Sequence, residues 1–198
     1  MPPLVVVLAG GRGARMGGNK PLFPLGETTL IEATLARLSP QTVRIAVNAG
    51  IAGGAMAQAL QSLPWDQLYD APDLADLGPL SGVRTALQAA WDQGDDHVIT
   101  VPCDMPFLPS DFVARLTEAA DADLVHFVGA DDYRLCGLWR VALLPALDGA
   151  LEAARPQGGL RVRDFLAGLQ VCKLIVADEA AFRNINRPED LQPAERQE

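Results

Sequence analysis

Four groups of residues in this chain have types and spacings suited to phosphate chemistry. The first is the run Leu8-Ala9-Gly10-Gly11-Arg12-Gly13-Ala14-Arg15-Met16-Gly17-Gly18-Asn19-Lys20. Its glycines let the backbone turn and approach a phosphate closely, while main-chain N–H groups and nearby cations supply donors. Two familiar loops are excluded by spacing. Gly11-x-Gly13-x-x-x-Gly17 is one residue longer than the dinucleotide fingerprint, and a P-loop puts a hydroxyl residue directly after its lysine, where this chain has Pro21. A nucleotide loop of another type is the reading that remains. The second group is Pro102-Cys103-Asp104-Met105-Pro106, a lone carboxylate between two prolines. Such an acid suits Mg²⁺, which takes one or two protein oxygens and completes its shell with water and phosphate.

The third group joins Asn48 and Asp70 to the run Gly78-Pro79-Leu80-Ser81-Gly82. An acid at a strand end can accept from a base or a ribose, and a Gly-Pro-Leu turn brings backbone close to a ligand. The fourth is Asn184-Ile185-Asn186-Arg187-Pro188, with two asparagines on one side of an extended segment. They could bind a ligand, or Asn186 could cap the helix that Pro188 starts.

The elements needed to hold these groups are legible in the apolar pattern. Residues 4–8 form a continuous β-branched run, as in a strand buried on both faces of a parallel sheet. A helix over 30–38, capped by Thr28 or Thr29 and stopped by Ser39-Pro40, follows the glycine-rich loop. Strands are expected over 43–48, 67–70, 97–101 and 123–128, and helices over 55–63, 83–91 and, capped by Ser110, 111–120. Asp104 then lies just past a strand end. In the last third, 135–141 reads as a strand that could run antiparallel, 143–154 and 162–167 as helices, and 171–176 as a final strand. Alternation of strand and helix with short connections predicts a three-layer α/β/α, doubly wound, mostly parallel Rossmann-like sheet, in one domain over residues 1–198.

Composition narrows the function. The chain has 198 residues, 49% of them hydrophobic and 21% charged, enough to bury a core without staples. A net charge of -9 disfavours nucleic acid or an anionic membrane as partner. Positive charge is nevertheless concentrated locally. Arg12, Arg15 and Lys20 stand in a stretch from Met1 to Gly26 that has no acid, and lysine fills only two of the sixteen basic positions. Neither a membrane-crossing run nor a signal peptide is present, which leads to the expectation of a soluble, cytoplasmic protein. Cys103, Cys136 and Cys172 lack zinc-ligand or redox-pair spacing and are expected to be reduced and non-catalytic. No Gly-x-Ser-x-Gly elbow occurs, His97 and His126 sit in strand positions, and Trp91 and Trp139 form no stacking ladder.

Taken together, these residues resemble the nucleotidyltransferase family that includes the molybdenum cofactor guanylyltransferases. The motifs that carry the likeness run from residue 4 to 191: Leu8-Ala9-Gly10-Gly11, Arg15-Met16-Gly17-Gly18, Lys20, Val47-Asn48, Asp70, Gly78-Pro79-Leu80-Ser81-Gly82, Pro102-Cys103-Asp104-x-Pro106, and Asn184-Ile185-Asn186-x-Pro188-Glu189-Asp190-Leu191. Gly10, where the related cytidylyltransferases tend to have alanine, together with Gly78-Pro79-Leu80-x-Gly82, tilts the likeness towards guanine.

The resemblance implies a nucleotide-diphospho-sugar transferase-like fold and transfer of GMP from GTP to the terminal phosphate of molybdopterin, with pyrophosphate leaving. It implies Leu8, Ala9, Gly10, Gly11, Lys20, Asn48, Asp70 and Asp104 for GTP, and Arg15, Lys20 and Asp104 as catalytic residues. Asp104 is implied as the Mg²⁺ ligand. Asn184 and Asn186 are implied for the pterin, with Asn186 near the metal. Other enzymes of cofactor synthesis or chaperones of apo-molybdoenzymes are implied as protein partners. A transferase of the same fold for another base or acceptor, such as a cytidylyl or sugar-phosphate enzyme, and a non-catalytic nucleotide-binding module are the alternatives. The chain departs from the family in having Asn19 where an acid is usual, and in lacking a proline ahead of Leu135-Cys136-Gly137-Leu138-Trp139.

Overall fold

A computed structural model describes residues 2–10, 20–74 and 77–185. Its centre is a seven-stranded sheet built from β1 (Leu4–Leu8), β4 (Ile45–Asn48), β5 (Asp66–Leu68), β6 (His97–Pro102), β7 (Leu124–Val128), β8 (Asp132–Arg140) and β9 (Val171–Ile175), in the order β5-β4-β1-β6-β8-β7-β9. Pairing is parallel except at β8, which runs antiparallel to both β6 and β7. The short antiparallel pair β2 (Pro24–Leu25) and β3 (Thr28–Thr29) stands apart. The doubly wound, mostly parallel sheet is the one the alternating pattern predicts.

β1 shows why. Its alternate side chains enter opposite cores: Val5 and Val7 join Ile31, Leu35, Phe112 and Leu116 on one face. Leu4 and Val6 join Leu80, Val83, Leu87 and Leu147 on the other. A strand covered on both faces must be apolar throughout, which is the pattern the sequence carries. The covering helices are α1 (Leu30–Leu38) and α4 (Phe112–Glu118) on the first face and α3 (Pro79–Asp92) and α5 (Leu144–Ala154) on the second. Two shorter helices, α2 (Ala55–Ala59) and α6 (Val162–Phe165), complete the α-helices of the described residues. α1 begins with a capping box: the Glu32 N–H donates to the Thr29 hydroxyl, and the Thr29 N–H donates to the Glu32 carboxylate at 2.8 Å.

Several local expectations are corrected. Residues 79–82 form the first turn of α3 rather than a turn ahead of it. Gly78 takes φ 94°, a conformation suited to glycine, and Pro79 occupies the first helical positions, where its missing N–H costs nothing. Asp111, not Ser110, is the residue before α4, and it makes no side-chain cap. The second strand starts at Ile45, with Val43 left exposed, and the helix expected over 55–63 ends at Ala59. β8 begins at Asp132, three residues before the apolar pattern announces it.

Behind the sheet's end, Phe112, Phe127, Phe182 and Tyr133 form an aromatic knot, with ring centroids 4.7 Å apart for Phe127 and Phe182 and 5.2 Å for Tyr133 and Phe182. Phe182 closes the 3₁₀ turn Glu179–Phe182 and anchors the chain that continues to Asn184 and Ile185. Phe182→Ala is therefore expected to cost about 3–5 kcal/mol of unfolding free energy. Urea denaturation measures it, and a loss under about 1 kcal/mol would show that the knot is not what fixes this segment.

Candidate active site

The order of strands reverses between β1 and β6, and in open α/β sheets ligands bind outside the carboxyl ends of strands at such a switch point. A cleft of about 530 Å³ opens there. Backbone hydrogen bonds cross-link the strand ends beneath it: the Ala9 N–H donates to the Asn48 carbonyl at 2.9 Å, and the Cys103 N–H to the Leu8 carbonyl at 3.2 Å. Beyond them the Asp70 N–H donates to the Gly50 carbonyl at 2.7 Å. These bonds set residues far apart in sequence around one opening.

Seven residues expected at a nucleotide site line this cleft together: Leu8, Ala9, Gly10, Lys20, Asn48, Asp70 and Asp104. Gly78, Pro79 and Gly82 line it as well, so the start of α3 forms one wall. Gly11, Arg15 and Asn186 lie outside the described residues. Asn184 lines a second cavity of about 520 Å³, with Asp132, Tyr133 and Arg134 on its wall. Pro102 and Leu135 line both spaces, so the two cavities are neighbours across a shared wall.

Asp104 is 6% exposed and forms an ion pair with Lys20 through Oδ2. Lys20 opens the short 3₁₀ turn Lys20–Leu22, which packs against α1. The Asp104 carbonyl in turn accepts from the Ile185 N–H at 3.2 Å, which brings the Asn184 segment beside the carboxylate. A carboxylate that leaves water needs a cation, and Lys20 supplies one. Among the described residues no hydrogen bond to Asp104 Oδ1 occurs, which leaves that oxygen for a second electropositive partner. No cluster of three or more His, Cys, Asp or Glu with metal-binding geometry occurs among the described residues. A single carboxylate beside a phosphate-sized opening suits a hard divalent cation that completes its shell with phosphate oxygens and water, and it does not suit a closed site of the zinc type.

Asn48 and Asp70 are buried and bonded to each other: Asn48 Nδ2 donates to Asp70 Oδ1 at 2.7 Å. The Thr85 hydroxyl donates to the same oxygen, also at 2.7 Å. Thr85 carried no sequence signal, since a threonine among alanines on a helix reads as packing. Gly50 and Met56 in the cleft wall were also missed. Gly50, with φ 75°, could have been sought in the Asn-Ala-Gly sequence that ends a strand.

Gly10 has a specific steric role. A Cβ added there would sit 2.6 Å from Gly50 Cα and 2.9 Å from Asn48 Oδ1. Neither backbone nor a hydrogen-bonded buried amide can move away cheaply. Cys103 also lines the cleft, but burial, with the nearby Asp104 charge, pushes its thiol up to about 12. It is protonated at neutral pH and no nucleophile. The buried Cys136 thiol is raised as well, and burial lowers His126 so that it stays neutral.

The MobA-like NTP transferase domain matches residues 5–171. The chain is 40% identical over 190 residues to a molybdenum cofactor guanylyltransferase of Rhodobacter capsulatus, covering 96% of this chain and 93% of that protein. It is 36% identical over 203 residues to another of that name from Sinorhizobium fredii, covering 96% and 89%. The crystal structure of molybdopterin-guanine dinucleotide biosynthesis protein A from Archaeoglobus fulgidus superimposes with a TM-score of 0.76 at 25% identity, over 94% of each chain.

From the clash at Gly10, Gly10→Ala is expected to weaken GTP binding by about 10-fold or more while the fold persists, one displaced hydrogen bond to a charged group being worth about 1.5–3 kcal/mol. Calorimetric titration with GTP checks it, and unchanged affinity would show that the Gly10–Gly50 contact is not part of the site.

Proposed function

The chain belongs to the MobA-like NTP transferase family, and on that premise we propose that it transfers GMP from GTP to the terminal phosphate of molybdopterin, giving molybdopterin guanine dinucleotide and pyrophosphate. The observation that carries this reading is the convergence of Gly10, Lys20, Asn48, Asp70 and Asp104 on one cleft at the sheet's switch point, beside a second cavity able to take the acceptor.

In the proposed reaction an oxygen of the acceptor's phosphate forms a bond to the α-phosphorus of GTP. The bond from that phosphorus to the bridging oxygen of the β-phosphate breaks, and its electron pair leaves with pyrophosphate. A phosphate monoester is already anionic at pH 7, its second pKa being about 6, so no general base is required. Neither histidine lines the cleft. The obstacle is charge, because an anion approaches an anion while a third departs. Backbone at Leu8, Ala9 and Gly10 approaches the guanine, and Asn48 and Asp70 hold base or ribose. Lys20, with Arg15 and Gly11 from the glycine-rich run, steadies the phosphates. Asp104 holds a divalent cation, Mg²⁺ in this reading. When bound, that cation neutralises charge on the phosphates, an effect worth several kcal/mol in a desolvated site. Asn184, on the wall of the second cavity, and Asn186 are the residues that bind the pterin in this reading.

The three cysteines suit a reducing compartment, so the cytoplasm is the proposed location. Other enzymes of cofactor synthesis, or chaperones of apo-molybdoenzymes, are proposed to take the product from this chain.

Asp104→Asn is expected to lose on the order of 10²-fold or more in turnover while keeping its circular dichroism spectrum, a loss of about 2.7 kcal/mol in barrier terms. The assay is pyrophosphate release with purified molybdopterin and each of GTP, CTP, UTP and ATP in the presence of Mg²⁺. Release with GTP that depends on molybdopterin is the expected result. A fully active Asn variant would refute the role of Asp104, and a preference for CTP would refute the guanylyl assignment.

A further inference from the structure

Thr85 lies outside the cleft, on α3, yet its hydroxyl touches a residue that lines it. Three elements meet at Asp70: Asn48 from the end of β4, Asp70 from the segment after β5, and Thr85 from α3. All three residues are buried. Asp70 Oδ1 accepts from Asn48 Nδ2 and from Thr85 Oγ1, each at 2.7 Å. A hydroxyl has one proton, and the Thr85 hydroxyl also lies 3.1 Å from the Ser81 carbonyl. The shorter contact, to the carboxylate oxygen, takes that proton. Among the described residues no hydrogen bond reaches Asp70 Oδ2, and this oxygen is not among the fully buried atoms without a partner. The carboxylate thus has one oxygen filled from the protein side and one in contact with solvent, in a residue that lines the cleft.

We propose that Thr85 is a positioning residue for nucleotide binding, which acts by fixing the plane of the Asp70 carboxylate so that Oδ2 accepts from donor groups of the nucleoside. The torsion that turns a carboxylate about its own bond is soft and broad. Asn48 alone holds one point on Oδ1 and leaves that rotation open. A second donor from another direction closes it. The nucleoside chemistry that matches a fixed carboxylate oxygen is a donor pair, either the N1–H and 2-amino group of guanine or the ribose hydroxyls. The adenine N1 and cytosine N3 positions are acceptors and do not match it. This inference rests on the reading of the cleft as the nucleotide site.

The test compares wild type with Thr85→Val, which keeps the shape and loses the hydroxyl, with Thr85→Ala as a second variant without the hydroxyl, and with Thr85→Ser, which restores it. Direct GTP binding, steady-state kinetics and thermal melting are measured on the full chain. The expected result is a rise in Kd and KM for GTP of about 10-fold in Thr85→Val and Thr85→Ala, with kcat within about 3-fold, and recovery in Thr85→Ser. That split marks lost binding rather than a damaged fold. The penalty of Thr85→Val is expected to shrink with either inosine triphosphate or 2′-deoxyguanosine triphosphate, and the analogue that shows it identifies the donor Oδ2 accepts. Equal GTP affinity in wild type and Thr85→Val, or a fall in kcat that Thr85→Ser does not rescue, would overturn the inference and leave the proposed function standing. Absence of saturable GTP binding by the wild type would overturn both.

Discussion

The ion pair between Lys20 and Asp104 ties the ends of the candidate site together. It joins two segments 84 residues apart and places a buried carboxylate at the mouth of the sheet. A carboxylate there is unfavourable without a cation, and a protein of net charge -9 has few lysines to offer. The same arrangement suits polyphosphate chemistry. In the proposed reaction the positive side chain faces the phosphates and the negative one holds a divalent cation, and the fold keeps the two charges side by side.

Around that pair the protein divides its labour between two sides. The side proposed to take the nucleoside is built from backbone and from small residues: Gly10 approaches Gly50, and α3 begins just after Gly78 so that Gly82 faces Asn48 Oδ1. Its polar groups are tied together before any ligand arrives, since Asn48 and Thr85 both donate to Asp70 Oδ1 and leave Oδ2 open to the cleft. The other side is built from the antiparallel β8 and the segment through Asn184, which Glu179 fastens to the β7–β8 turn by accepting from the Ala130 N–H at 2.8 Å. Pro102 and Leu135 stand between the two spaces, where the proposed reaction joins its two substrates.

Much of this was legible in the sequence because the relevant signals are local. β1 is apolar at every position since both of its faces are covered, and the glycines, prolines and lone acid after β1 and β6 stand at strand ends. What was misread involved competition between local signals and context. Gly78-Pro79 announces a turn and also a helix start, and only the positive φ at Gly78 decides between them. The start of β8 is hidden because Asp132, Tyr133 and Arg134 face the second cavity and carry no apolar alternation. β2 and β3 are two residues each, too short for a period to show. Thr85 was invisible because its role exists only through Asp70, fifteen residues earlier.

In the proposed reaction phosphate and metal meet between Lys20 and Asp104. The most direct measurement is a crystal structure of the protein with Mg²⁺ and a non-hydrolysable GTP analogue. Phosphate oxygens against Lys20, the metal on Asp104, and the guanosine in the cleft beside Gly10 and Asp70 are the expected result. A nucleotide bound elsewhere, with the Lys20–Asp104 pair undisturbed, would contradict it.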